Sequence, residues 1–411
     1  MERIILAYSG GLETSVAIPW LAEKYGAEIV AVTLDLGHEP HLEAVKARAL
    51  AAGAVRCHVI DVREAFMQEY VLPALLANAR YEDQHPMATA LSRPLIAKTL
   101  VDIAKMERAA VIAHGCSGKG NDQARIELAA RALDPSLGIL APARLWEFTR
   151  PESQAYAEAR GIPVAITADT PYSVDANLWG RSIEYGVLED PWQEPPEEIY
   201  EITRPYAACP DTPAFVEIGF DKGVPVSING VSMSLLELVD SLTTIAGEHG
   251  VGRLDVVENR VVGIKSREVY EAPAAVVLHL AHRELERFVT SAALQRFTQT
   301  VATQYADVVY NGFWFTPLRQ ALDAFVGIVQ ERVTGAIRLR LFKGDCRAVG
   351  RRSPYGLYDR TLATYDSTDE FDHAAAEGFV KLYGLPVELA ARIAPVRPAP
   401  PKAPWAITDP L

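Results

Sequence analysis

An apolar run, Ile4-Ile5-Leu6-Ala7, breaks at Tyr8-Ser9-Gly10-Gly11 and passes at once into a helical pattern carried by Val16, Ile18, Trp20 and Leu21. Strand, glycine turn and helix in immediate succession constrain this chain more than any other stretch. The glycines let the backbone bend and come close to a ligand. The helix that follows offers unpaired N–H groups and the positive end of its dipole. Ser9, Thr14 and Ser15 add hydroxyl donors. The stretch from Ala7 to Ser15, which includes Leu12 and Glu13, therefore reads as a cradle for phosphate.

The same alternation continues downstream. Arg3–Ala7, Glu28–Leu34, Arg56–Val62, Ala109–Ala113 and Gly138–Ala141 read as strands, and 13–24, 41–52, 63–78, 90–107 and 122–133 read as helices. The strands are near-continuous apolar runs, the pattern expected when helices cover both faces. The fold class is α/β: a doubly wound parallel sheet over residues 1–168, with ligands at the carboxyl ends of its strands. Residues 151–161 read as one more helix and Pro163–Thr167 as a strand. Residues 170–200, rich in proline and tryptophan, read as an ordered irregular excursion. An α+β domain follows, to residue 364. Its strands are Ala214–Phe220, Val224–Ile228 and Ala336–Phe342, its helices Ser234–Gly247 and Ala293–Leu322, and Asp221-Lys222-Gly223 joins two strands as a hairpin. A helix over 370–394 and a proline-rich arm complete a C-terminal segment, 365–411.

A net charge of −13 disfavours nucleic acid as a partner, since no strong basic run offsets it. Cys57, Cys116, Cys209 and Cys346 stand far apart, with no metal or disulfide spacing, which favours a reducing, cytoplasmic compartment. The first residues do not read as a secretory signal, and no run approaches the ~18 apolar residues of a membrane span.

A second glycine turn follows Val111–Ala113: His114-Gly115-Cys116-Ser117-Gly118-Lys119-Gly120-Asn121-Asp122-Gln123, then a helix carrying Arg125 and Glu127. It does not match the Walker phosphate motif, because Ala113 stands five residues before Gly118 and Gly120 follows the lysine. Three glycines, a lysine and Asn121-Asp122 at a helix start suit a small zwitterion, whose ammonium Asp122 would accept. Taken alone, Asn121-Asp122 is a helix cap. Tyr172-Ser173-Val174-Asp175, Arg181-Ser182-Ile183-Glu184, and the charged stretch from Glu258 to Glu268 read, by themselves, as turns or solvated loop.

Together these pieces resemble the argininosuccinate synthase family. Ala7–Ser15 is similar to its nucleotide motif, whose Ser-Gly-Gly core recurs in ATP pyrophosphatases, and His114–Glu127 to its second glycine motif. The resemblance continues through Ala90–Lys98, Asn177–Ser182, Leu188–Trp192, His249–Arg253, Val257–Arg260 and Gln330–Gly335, and covers residues 1–385. It implies an AMP-forming ligase. The ureido oxygen of citrulline attacks the α-phosphate of ATP, which carries Mg2+, and aspartate then displaces AMP. No covalent catalytic residue and no protein metal site are implied. Ala7, Tyr8, Ser9, Gly10, Gly11, Leu12, Glu13, Thr14, Ser15, Leu34 and Gly115 would face ATP. Ser117, Asn121 and Asp122 would hold aspartate, and His85, Ala90, Asn121, Arg125, Ser173, Ser182, Glu258 and Tyr270 would hold citrulline. The resemblance also implies a synthetase role for residues 169–364 and a homotetramer.

Several positions depart from the family pattern. Glu13 stands for an aspartate, Leu34 for a small residue, His38 for a glutamine, His85 for a tyrosine and Ala90 for a serine. Glu268 stands for a glycine, Ala272 for a threonine, and Tyr185 fills a small position. Most of these changes fall on the citrulline side. Two alternatives therefore stand beside citrulline ligation: ligation of aspartate to another ureido or carbonyl acceptor, or a silent paralogue that only binds nucleotide.

Overall fold

The structure is a computed structural model that describes residues 2–37, 41–146, 150–163 and 171–394. It divides into two compact units, Met1–Leu357 and Tyr358–Leu411. In the first unit, β1 (Arg3–Ala7), β2 (Glu28–Asp35), β3 (Arg56–Asp61), β4 (Val111–Ala113) and β5 (Gly138–Leu140) form a five-stranded parallel sheet in the order β3-β2-β1-β4-β5. Burial explains the continuous apolar runs. Ile4 and Leu6 of β1 pack with Val16, Ile18, Leu21 and Val45 on one face, while Ile5 packs with Leu100, Val101 and Ile126 on the other. Helices on both faces force crossovers to both sides of β1. The strand order therefore reverses between β1 and β4, and the two glycine turns follow those two strands. Clefts at such reversals, beyond the carboxyl strand ends, are where open α/β sheets bind ligands.

The rest of the unit carries two antiparallel sheets. One has five strands, among them Val224–Ile228, Ala214–Asp221, Gly335–Phe342 and Asp345–Arg352 in that order, packed by helices Leu235–Glu248 and Pro273–Val289. Its Lys222-Gly223 turn has φ of 48° and 80°, as the hairpin requires. The other has four strands in the order Arg253–Asn259, Lys265–Glu271, Gly180–Glu184, Ser173–Asn177. These four strands correct the reading of residues 170–200 as irregular and of 258–268 as solvated loop. Ile183 and Val269 pack into a small core, whereas Ser182, Glu268 and Tyr270 border a polar cavity. A strand with core on one face and a wet cavity on the other lacks the apolar majority that marks a strand in sequence.

The single helix expected over Ala293–Leu322 is two, Ala292–Tyr310 and Pro317–Gln330. Gly312, at φ 82°, turns the chain there, and its backbone lies so close to the helix Asp122–Leu133 that a Cβ would sit 2.7 Å from the Arg125 Cα. Helix Pro273–Val289, which the sequence reading passed over, lies against both antiparallel sheets' connecting core. In the second unit, helix His373–Ile393 starts at an Asp372 cap and has no buried residue. The strand expected at Pro163–Thr167 lies almost wholly outside the described residues, as do His38 and the proline-rich arm.

Candidate active site

The first glycine turn leaves a helix N-terminus open. Gly11 caps Leu12–Tyr25 and brings no capping side chain of its own to the helix N–H groups. The hydroxyls around it are held in place. Ser9 and Thr14 share a hydrogen bond of 3.1 Å, the Gly11 N–H donates to Ser9 Oγ at 3.3 Å, and Thr14 Oγ1 donates to the Gly11 carbonyl at 3.3 Å. Ser15 is fully buried and bonded to the Tyr8 hydroxyl. Gly10 takes φ 80°, which only glycine adopts without strain. The two glycine turns meet at one point: a Cβ on Gly115 would lie 2.8 Å from the Thr14 methyl. Glu13 is exposed in the first helical turn and makes no ion pair among the described residues.

Beside the second turn lies a cavity of about 180 Å³. Ser117, Asn121, Asp122 and Arg125 border it from the parallel-sheet side, His85 from a connecting segment, Ser182, Glu184, Glu258, Glu268 and Tyr270 from the four-stranded sheet, and Arg260 from the connection between two of that sheet's strands. Its walls are ordered by charge. Arg125 donates through Nη1 to Asp122 Oδ1 at 3.0 Å, and Arg93 through Nη2 to Asp122 Oδ2 at 2.7 Å. Burial works against an ionised Asp122, but the two guanidinium groups outweigh it and hold the carboxyl down at about 2. Glu258 is almost fully buried and accepts hydrogen bonds from the hydroxyls of Tyr270 at 2.7 Å and Tyr310 at 2.5 Å, with His85 Nδ1 at 3.0 Å. Burial again opposes its charge, and the bonds from His85, Tyr310 and Tyr270 bring the carboxyl to about 2. A buried, ionised carboxylate at the cavity wall is suited to an ammonium group.

Two buried polar atoms of this wall have no hydrogen-bond partner among the described residues, Nη2 of Arg125 and Nε2 of His85. A buried polar group left unpaired costs about 1–3 kcal/mol, so a ligand group that meets either atom gains from relieving that cost. Opposite them, Arg260 is gripped by Glu184 and Glu268 at once. Burial and the neighbouring Glu268 push the Glu184 carboxyl up to about 7.

Two family models match the chain: Arginosuccinate synthase N-terminal HUP domain over residues 3–163, and Arginosuccinate synthase C-terminal domain over residues 172–390. The chain belongs to the argininosuccinate synthase family. It is 53% identical over 395 residues to the argininosuccinate synthase of Dehalococcoides mccartyi, across 96% of this chain and 97% of the relative. It is 54% identical to that of Chlorobium chlorochromatii, across 93% and 96%, and 54% identical to that of Symbiobacterium thermophilum, across 95% and 98%.

Set against the residues that argininosuccinate synthase resemblance implied, the structure gathers His85, Ser117, Asn121, Asp122, Arg125, Ser182, Glu258 and Tyr270 around the one cavity. Ala90 does not border it but is fully buried in the main core, and Ser173 is exposed at the start of its strand. Leu34 packs partly buried against the core below the sheet's carboxyl end. Sequence reasoning gave no role to Arg93, Arg260 or Tyr310. Arg93 stands in the recognised stretch Ala90–Lys98 and Arg260 in Val257–Arg260, so motif membership was available as a signal; Tyr310 lies in no quoted motif.

Proposed function

We propose that this protein ligates citrulline and aspartate at the expense of ATP, giving argininosuccinate, AMP and pyrophosphate. The convergence of eight implied ligand residues, from the second glycine turn and its helix, a connecting segment and the four-stranded sheet, on one cavity carries the reading. The N-terminus of Leu12–Tyr25, with Ser9 and Thr14, receives the ATP phosphates, Ser15 bracing the turn from beneath through Tyr8, and Gly115 brings the second turn against it. Magnesium arrives on those phosphates as part of the substrate. Glu258 and Tyr270 hold the citrulline ammonium, and Arg125 offers its unpartnered Nη2 to a citrulline oxygen. Ser117, Asn121 and Asp122 hold aspartate. In the first step the ureido oxygen bonds to the α-phosphorus as the bond to pyrophosphate breaks. In the second, the aspartate nitrogen bonds to the ureido carbon, the carbon–oxygen bond breaks with AMP as leaving group, and the nitrogen gives up its proton. The protein acts by position and fixed charge.

The protein works as a homotetramer in the cytoplasm on this reading. Helix His373–Ile393 exposes Phe379, Val380, Leu382 and Tyr383, an apolar stripe suited to another subunit, and all four cysteines are free. No helix among the described residues is long and apolar enough to cross a membrane. The test is pyrophosphate release and argininosuccinate formation by the purified protein with ATP, magnesium and aspartate. Product should form only when citrulline is added. Absence of product with citrulline, from protein that still binds ATP, overturns the reading.

A further inference from the structure

Tyr310 ends helix Ala292–Tyr310, is fully buried, and touches three of the residues that border the cavity. Its hydroxyl donates to Glu258 Oε1 at 2.5 Å and accepts from Asn121 Nδ2 at 2.9 Å. Its carbonyl accepts from Arg125 Nε at 2.9 Å, and the Arg125 guanidinium lies 4.5 Å from its ring centroid. The direction of these bonds is fixed. Arg125 and the Asn121 amide nitrogen can only donate, and Glu258 is held ionised and can only accept. Asn121 cannot turn over, because its Oδ1 accepts the Val261 N–H at 2.8 Å. The ring is braced on its other face by Tyr81, stacked at 3.5 Å with the planes 5° apart, and Tyr81 is itself tied to the Asn259 carbonyl.

We infer that Tyr310 is a positioning residue that couples the two amino-acid subsites, through one hydroxyl shared between Asn121 and Glu258. On the reading above, Asn121 holds aspartate as well as standing among the citrulline residues, and Glu258 belongs to the citrulline side alone. A chain of bonds that runs Asn121 to Tyr310 to Glu258 polarises along its length, so each end is strengthened by the other. The nucleotide cradle has no link to this hydroxyl among the described bonds. This is why the residue escapes a motif reading: it meets no substrate, and acts only through the groups that do.

Tyr310→Phe keeps the ring, the stack on Tyr81 and the carbonyl bond to Arg125, and removes only the shared hydroxyl. Losing a hydrogen bond to a charged group corresponds to about 10- to 100-fold. The KM for citrulline should rise by that factor, and the KM for aspartate should rise with it by about threefold or more. The KM for ATP should stay within about twofold. A structural role alone would lower the melting temperature and raise all three KM values together, or none. Tyr81→Phe is the companion variant, since it removes a hydroxyl from the same stack without touching Asn121 or Glu258. The inference is overturned if Tyr310→Phe leaves both amino-acid KM values unchanged, if it raises the KM for ATP equally, or if Tyr81→Phe reproduces its pattern. A parent protein that forms no argininosuccinate would instead defeat the functional reading on which this rests.

Discussion

The contact between the two glycine turns gives the sharpest prediction. Gly115 lies outside the left-handed region, so alanine there carries no backbone strain; its cost is the contact alone. The added Cβ would stand 2.8 Å from the Thr14 Cγ2. Ordinary carbon–carbon contact begins at about 3.5 Å. Thr14 cannot simply rotate away, because it is buried and its hydroxyl is bonded to both Ser9 and the Gly11 carbonyl. The two turns must therefore part by something over half an ångström. A misplacement of ~1 Å costs on the order of 10²-fold in rate, so Gly115→Ala should lower pyrophosphate release by roughly 10- to 100-fold. Thr14→Ser removes the offending methyl and keeps the hydroxyl. The double variant Gly115→Ala/Thr14→Ser should recover to within about threefold of Thr14→Ser alone. The assay is steady-state pyrophosphate release with saturating citrulline and aspartate. If the double variant is no faster than Gly115→Ala, the steric reasoning fails.

Arg125→Lys keeps a charge but loses the fork that spans Asp122, the Tyr310 carbonyl and the ligand; the citrulline KM should rise about 10- to 100-fold in initial-rate measurements, with the ATP KM little changed. Glu13→Asp alters an exposed carboxylate with no ion pair among the described residues, so kcat/KM for ATP should move by no more than about threefold; a tenfold gain would show that its length limits the nucleotide step. Glu184 is raised to about 7, so the folded protein holds a proton that the unfolded chain releases above its ordinary carboxyl range; stability is thereby lost as pH rises from about 4.5 through about 7. Glu184→Gln, which stays neutral, should gain in melting temperature relative to the parent as pH goes from 5 to 8. A constant difference across that range would show that the carboxyl titrates normally.

The parallel sheet was legible because its strands are buried on both faces and its turns are rich in glycine; every strand expected between Arg3 and Ala141 lies within two residues of an observed one. The four-stranded sheet was illegible for the opposite reason. Ser182, Glu184, Glu258 and Glu268 are polar because they border the cavity, and polarity in sequence argues for loop. Function had overwritten the period-two signal that marks a half-buried strand. The break in the expected helix Ala293–Leu322 was written in Asn311-Gly312 and Pro317, but amphipathic residues on both sides masked it. Within the site, motifs gave most of the residues that border the cavity. Tyr310 carries no motif, and only packing places it.

The departures on the citrulline side can now be weighed by what they touch. His85 replaces a hydroxyl donor with a ring nitrogen, yet Nδ1 still reaches Glu258 at 3.0 Å and the ring stacks on Tyr270, 4.1 Å between centroids. The change therefore keeps a bond to the Glu258 carboxylate and leaves Nε2 without a partner among the described residues. Glu268 adds a carboxyl that Arg260 and the Ser266 hydroxyl both bind, yet burial and the nearby Glu258 still push it up. Ala90 lies in the core, where a small side chain is what the packing takes. His85 and Glu268 are thus each bonded by neighbours in the cavity wall, whereas Ala90 lies outside it, and burial together with Glu268 raises the Glu184 carboxyl. The three bonds that hold Glu258 ionised, from His85 Nδ1 and the hydroxyls of Tyr310 and Tyr270, are all present with these departures in place, so a buried negative charge still faces the cavity.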